Sequence, residues 1–295
     1  MIPKGTLLII GGAEDKGKTI KLEKARKDRE IEQLEILKLL LHGEKKLEVI
    51  TTASNYHKEV KNEYERAFNI VGIKNAGFMH IETKKEAGLS KYIERIEKAD
   101  AIFFSGGDQL RLSAFLGGTQ FIDVISKRYQ EDENLIVAGT SAGAMVMSKI
   151  MISRGGTSEV VFRDDLELTT GFGLLELCII DSHFIERGRF GRLAHAVILN
   201  PEQLGIGLGE DTALIVKNGE DAECVGSGVV VMIDGTNLGR TNIHEKDDDK
   251  CGVFVENLTV HMMVKGCRFN LKTKKIANPA KGRRNNLKHE LGSPH

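Results

Sequence analysis

Residues 135–148 read LIVAGTSAGAMVMS: an apolar run, then Gly139-Thr140-Ser141-Ala142-Gly143, then small helix-forming residues. A G-x-S-x-G between a strand and a helix has a chemical use. Small neighbours permit a strained turn that lifts the serine hydroxyl above the sheet, at the amino end of a helix. Ser141 is therefore the candidate nucleophile. Its hydroxyl needs a base within hydrogen-bond reach and a carboxylate behind that base. Of nine histidines, His183 is best placed, because it follows the apolar run 177–180 at a strand terminus. His195 falls on the amphipathic segment beyond it and is expected to be packed or solvent-facing. Glu210 closes the apolar, glycine-rich segment GIGLGE, a third strand end, and is the candidate acid. The order Ser, His, Glu differs from the Ser, Asp/Glu, His order of α/β-hydrolases. Keeping that alternative would require Asp164, Asp165 or Asp181 as acid, with His183 or His195 as base.

Two further stretches suit the same chemistry. AIFFSGGDQLR at 101–111 is a buried strand opening into Gly106-Gly107 before a helix. Backbone amides there can face a developing oxyanion, so the hole is assigned to the N–H of Gly107 or Asp108 together with that of Ala142. Arg187-x-Arg189-x-x-Arg192 begins four residues past His183. Three guanidiniums this close repel one another unless anions are nearby. Beside a catalytic base they read as a clamp for a substrate carboxylate rather than as a solvated basic face.

One motif points elsewhere. Gly12-x-x-x-x-Gly17-Lys18-Thr19 spells a phosphate-binding loop, which would make the chain a nucleotide-binding protein using Lys18. The loop interior carries Glu14 and Asp15, where phosphate charges would sit, and no apolar stripe anchors a following helix until Ile31. LCIID, ending at Asp181, could still pose as the magnesium-binding strand of such a protein. A strand followed by a polar loop is the simpler reading.

The elements that must position these residues follow from the periodicity. Through the first two thirds, short apolar runs (6–10, 47–51, 101–104) alternate with helical patterns such as Val60/Tyr64/Ala67/Phe68 and Leu110/Leu112/Phe115/Leu116. Runs too apolar to have one wet face, in a βαβα rhythm, predict an α/β fold with a mainly parallel sheet covered by helices on both sides. Ligands then gather at the carboxyl ends of the strands. After about residue 205, strand candidates at 213–216, 228–232, 253–255 and 258–264 predict an antiparallel edge rather than a second domain. The expected organisation is one catalytic domain over 1–273 and a basic, frayed tail over 274–295. Lysine plus arginine equals aspartate plus glutamate at 42 each, so no overall field draws the chain to nucleic acid or an anionic membrane. No apolar run reads as a signal peptide or membrane span, which predicts a cytoplasmic protein. Four cysteines without a CxxC pair argue against a metal site or disulfide framework.

Taken together, GGAEDK (11–16), FFSGGDQLR (103–111), GTSAGAMVMS (139–148), DSHFIERGRFGRL (181–193) and GLGEDTAL (207–214) resemble the serine peptidase family that contains cyanophycinase and the aspartyl dipeptidase peptidase E. The arginine-bearing stretch is similar to the cyanophycinase branch. GGAEDK being itself a family stretch makes the phosphate-loop match coincidental. The resemblance implies a class I glutamine-amidotransferase-like three-layer α/β/α sandwich, with Ser141 as nucleophile, His183 as base and Glu210 orienting it. It also implies substrate roles for Gln109, Asp181, Arg187, Arg189 and Arg192. Ser182 stands where the motif usually has glutamine, so short aspartyl or isoaspartyl peptides are the alternative substrates. The implied reaction is hydrolysis of cyanophycin, a polyaspartate bearing arginine on each side chain, through an acyl-enzyme to β-aspartyl-arginine, by a homodimer needing no metal or nucleotide.

Overall fold

Strands with two apolar faces are satisfied only inside a sheet covered on both sides, and the computed structural model has that architecture over residues 2–14, 16, 34–40, 45–156, 160–245 and 252–277, the residues it describes. In chain order the elements are β1 (Thr6–Ile10), α1 (Glu35–Lys38), β2 (Leu47–Ile50), α2 (His57–Val71), β3 (Ala76–Met79), α3 (Lys84–Ala87), α4 (Ser90–Glu97), β4 (Ala101–Phe104), α5 (Gln109–Leu116), α6 (Gln120–Glu131), β5 (Ile136–Thr140), α7 (Ala142–Met145), β6 (Ile150–Gly155) and β7 (Leu166–Thr170). They continue with β8 (Cys178–Asp181), α8 (Phe190–Leu199), β9 (Leu204–Leu208), β10 (Thr212–Lys217), β11 (Asp221–Gly226), β12 (Val230–Asp234), β13 (Thr259–Met263), β14 (Arg268–Asn270) and β15 (Ile276–Ala277).

The main sheet has the order β15-β14-β11-β10-β1-β5-β4-β2-β3. From β1 to β3 all pairings are parallel, and from β1 to β15 all are antiparallel. Pleating sends alternate residues to opposite faces. Leu8, Ile10, Val49 and Phe103 share one core with Tyr64, Ala67 and Phe68 of α2 and with Ile36 and Leu37 of α1. Leu7, Ile9, Ile50 and Phe104 share the other with Ile93 and Ile96 of α4 and Phe121 and Ile125 of α6. The helix residues recur at three- and four-residue spacing, which places them on one face.

The carboxyl half departs from the sequence expectation. β10, β11, β14 and β15 do extend the main sheet as an antiparallel wing, but the candidates at 228–232 and 258–264 leave it. As β12 and β13 they form a second sheet, β13-β12-β9-β8, with α8 packed on it. Apolar residues on both faces of β9 and β12 suit either sheet, so the partner is chosen by long-range packing that periodicity does not encode. Residues 253–255 are not a strand: they are held by an isolated bridge, Thr241 to Val255, and by the Val253 N–H to Val161 O at 2.7 Å. Residues 274–277, assigned to the tail, belong to the fold: Lys274 Nζ reaches Asp234 Oδ1 at 2.6 Å, and Ile276–Ala277 pairs with β14. The rest of that tail, from 278, lies outside the described residues, as does Cys251. Cys178, Cys224 and Cys267 are buried free thiols. Among the described residues no helix is long and apolar enough to cross a membrane.

Candidate active site

Register places the site. Ile10 lies opposite Thr140 where β1 and β5 run parallel, so the loops leaving both strands emerge side by side. Asp181 lies opposite Gly207 in the parallel pair β8 and β9, so the chains toward 183 and 210 leave the second sheet together. Both exits face the carboxyl ends of parallel strands, where open α/β sheets bind ligands.

Ser141 is the single residue between β5 and α7, with φ 53° and ψ −113°, a conformation L-residues rarely adopt. Small neighbours make it possible. A Cβ on Gly143 would collide with the carbonyl of Phe104, so the helix could not sit this close to β4. The loop after β1 then acts as a template. The carbonyls of Ile10, Gly11 and Gly12 accept, in turn, the N–H groups of Ser141 (3.0 Å), His183 (2.8 Å) and Asp211 (2.9 Å). Gly12, at φ 107°, has no side chain because the His183 ring occupies that space.

These constraints bring Ser141, His183 and Glu210 together. His183 Nε2 is 3.0 Å from Ser141 Oγ, and His183 Nδ1 is 2.6 Å from Glu210 Oε1. A carboxylate facing Nδ1 selects the tautomer with Nδ1–H, which leaves Nε2 to accept the serine proton. The arrangement can deprotonate an alcohol and hold the resulting imidazolium against a negative charge.

The oxyanion assignment divides. The N–H groups of Gly107 and Ala142 donate to no protein acceptor among the described residues, and Gly106 lies against Ser141. Asp108 is a correction: its N–H is given to Ala53 O at 2.9 Å, and its carboxylate caps α5 by accepting Leu110 N–H at 2.8 Å. Gln109 is also engaged, its amide donating to the carbonyls of Ile152 (3.3 Å) and Ser153 (3.1 Å) on β6.

Two of the three clustered arginines share one internal partner. Asp181 is 0% exposed and accepts from Arg192 Nε at 2.6 Å, from Arg189 Nη1 at 3.2 Å and from Ser182 N–H at 2.9 Å. A buried carboxylate is tolerated only when paired and fully hydrogen-bonded, and here the two arginines supply that pairing. Burial pulls Arg189 down to about 10, offset in part by Asp181. Ser182 is buried too, donating to Met145 Sδ at 3.4 Å. Asp181, Ser182 and Arg192 are thus buried together as a pier under His183, and the partly exposed Arg189 reaches the same carboxylate. Arg187 alone of the three arginines turns outward. His195 is packed, and burial lowers its basicity.

Ser141 and His183 open on a pocket of about 320 Å³ whose lining includes Gly106, Gly107, Thr140 and Arg187. A roomier groove of about 640 Å³ lies on the antiparallel wing and holds none of these groups, so chemistry rather than size marks the site. The lining residues to which the sequence assigns no role include Glu14, Lys16 and Tyr64. Glu14 accepts from Thr140 Oγ1 at 2.6 Å and from the Tyr64 hydroxyl, and Lys16 Nζ is 3.8 Å from Glu14 Oε1 and 3.5 Å from Glu63 Oε2. A signal existed for the first two, in charges placed within six residues of the end of an apolar strand. Tyr64 sits in an ordinary amphipathic helix and gave none. The Lys18 reading falls outside the described residues.

Burial, with Glu14 beside it, raises Tyr64 well above the ordinary phenol range, and burial raises Tyr129. Because the folded values lie above the unfolded one, the stability these groups carry is complete below about pH 10 and is lost as pH rises beyond it. An alkaline absorbance titration at about pH 11 should show two fewer phenolates in native than in urea-unfolded protein. Equal numbers would contradict the buried placement of these rings.

The chain matches peptidase family S51 over residues 8–224. It is 33% identical over 274 residues to the cyanophycinase of Geminocystis herdmanii, spanning 92% of this chain and 95% of that protein. Against the cyanophycinase of Trichormus variabilis the identity is 34% over 272 residues, spanning 91% and 86%. Against that of Synechococcus elongatus it is 30% over 275 residues, spanning 92% and 81%. Among solved structures, a peptidase from an acI-B1 actinobacterium superposes with a TM-score of 0.60 at 22% identity, covering 91% of this chain and 97% of that one. The fold shared with it is the class I glutamine-amidotransferase-like α/β/α architecture.

Proposed function

The chain belongs to peptidase family S51 and is a serine-type peptidase, and from that premise we propose that it hydrolyses the backbone amides of cyanophycin, with Ser141 as nucleophile, His183 as general base and Glu210 as the orienting carboxylate. The observation that carries this reading is the continuous hydrogen-bonded chain from Ser141 Oγ through His183 to Glu210 Oε1, opening on a pocket with two backbone donors and a cationic rim.

In the proposed reaction Ser141 Oγ attacks the scissile carbonyl carbon while its proton passes to His183 Nε2. The oxyanion lies between the N–H groups of Gly107 and Ala142, each worth about 10²- to 10³-fold in rate if it behaves like other oxyanion donors. His183 then returns the proton to the leaving nitrogen as the C–N bond breaks, leaving an ester on Ser141. A water molecule, deprotonated by His183, attacks that ester, and the acid is released with the serine restored. Each residue of the polymer presents one free carboxylate and one guanidinium. Arg187, which lines the pocket and turns outward, supplies the positive charge that the carboxylate needs.

The test offers purified protein both cyanophycin and short aspartyl dipeptides. Release of β-aspartyl-arginine from the polymer is expected. Arg187→Ala should lower kcat/KM roughly 10- to 100-fold, mainly through KM, as loss of a charge-assisted hydrogen bond to carboxylate predicts. Cleavage of dipeptides alone would overturn the polymer as substrate, and an unchanged KM in the variant would remove Arg187 from its binding.

A further inference from the structure

We infer that Glu14 is a positioning residue for Ser141, acting through the hydroxyl of Thr140. The inference rests on Ser141 being the nucleophile and adds what holds it in register.

Glu14 is a charged side chain where packing alone would prefer an apolar one. It is 4% exposed, and both of its oxygens accept: Oε2 from Thr140 Oγ1 at 2.6 Å and Oε1 from the Tyr64 hydroxyl. Both hydroxyl donors are themselves buried. Burying a carboxylate is unfavourable unless it is fully hydrogen-bonded, so the charge has been kept here against its desolvation, and what it grips is the residue before the nucleophile. Ser141 holds a strained backbone conformation (φ 53°), and such a conformation persists only where its surroundings over-determine it. The main chain there is held by the pairing of Thr140 with Ile10 and by the Ser141 N–H to the Ile10 carbonyl. A charge-assisted bond to the Thr140 side chain adds a second constraint to that main-chain pairing.

The pattern along the loop supports the same reading. Residues 10, 11 and 12 hold residues 141, 183 and 211 by their carbonyls, and residue 14 holds residue 140 by its side chain. One short segment therefore holds Ser141, His183 and the residue that follows Glu210. Of these four contacts only the last depends on side-chain chemistry, so it alone can be cut by substitution. Tyr64 completes the clamp by fastening Glu14 to α2, on the opposite layer from the second sheet.

The test uses the full chain with a fluorophosphonate probe, in which a bond forms between Ser141 Oγ and phosphorus, fluoride leaves and the hydroxyl proton passes to His183. Thr140→Val and Glu14→Gln are each expected to slow labelling and lower kcat roughly 10- to 100-fold, the scale of a reacting group displaced by a fraction of an ångström to an ångström. KM should stay within about twofold. Thr140→Ser, which keeps the hydroxyl, should stay within about threefold of the parent in both readouts. The double variant should be no slower than the worse single one, because both cut the same contact. Parent-like labelling in Thr140→Val with only a lowered Tm would reduce Glu14 to a structural role and overturn the inference, as would losses that multiply in the double variant. Should Glu14→Gln fail to fold, the Val and Ser variants at 140 decide alone. A parent that labels at a residue other than Ser141 would instead strike the nucleophile assignment itself, an outcome separate from fast labelling of the variants.

Discussion

Replacing Ser141 by alanine is expected to lower kcat by about three to six orders of magnitude while leaving the fold in place, the range seen when a nucleophile that acts as a unit with its base is removed. The side chain at 141 makes one hydrogen bond, to His183 Nε2 at 3.0 Å, and its backbone bonds to Ile10, Ala144 and Met145 do not involve the hydroxyl. Alanine meets the same positive φ with the same strain, so thermal stability should move by no more than about 1 kcal/mol. What survives would be the contribution of the Gly107 and Ala142 donors and of binding, acting on attack by water. Steady-state hydrolysis and a circular-dichroism melt on one preparation check both halves. A variant as active as the parent would end the serine mechanism, and one that is inactive because it is unfolded would assign Ser141 to the scaffold.

The largest expected effect on stability is at Asp181. Asp181→Ala leaves Arg189 and Arg192 facing one another without the carboxylate that both now grip, one at 2.6 Å and the other at 3.2 Å. Breaking one side of a buried ion pair is unfavourable by about 3–5 kcal/mol, which for a chain of this size corresponds to a fall in Tm of roughly 6–20 °C. Activity should fall with the folded fraction, because His183 follows Ser182 of the pier directly. This outcome separates two readings of one residue. A substrate contact would raise KM and spare the melting temperature, whereas a buried pivot lowers the melting temperature and leaves KM near the parent value in whatever protein stays folded. An unchanged melt would return Asp181 to the substrate surface.

These two positions also show where local reading works. Ser141, His183 and Glu210 each follow a strand, and strand ends are written in short apolar runs terminated by glycine or polar residues, a signal only a few residues long. The elbow at 139–143 adds its own mark, since the turn tolerates only small neighbours. The direction of an arginine is another matter. Arg189 stands at the residue before α8 and Arg192 lies three residues on, so both reach the Asp181 end of β8, while Arg187 precedes the helix on an outward turn. Their spacing in the chain looks like one cluster, and only the packing of α8 against β8 divides it.

Glu14 and Tyr64 make the same point over a longer distance, fifty residues apart in sequence and joined across a layer boundary. By itself the sequence determined which residues end strands, which turns are tight and hence which side chains stand at the rim, because those follow from side-chain size and alternation within a few residues. Tertiary structure alone decided that β12 and β13 leave the main sheet, that Asp181 faces inward, and that Glu14 reaches Thr140. Each of those is a choice of partner between segments far apart in the chain, made by apolar packing for the two strands and by the pairing of buried polar groups for Asp181 and Glu14.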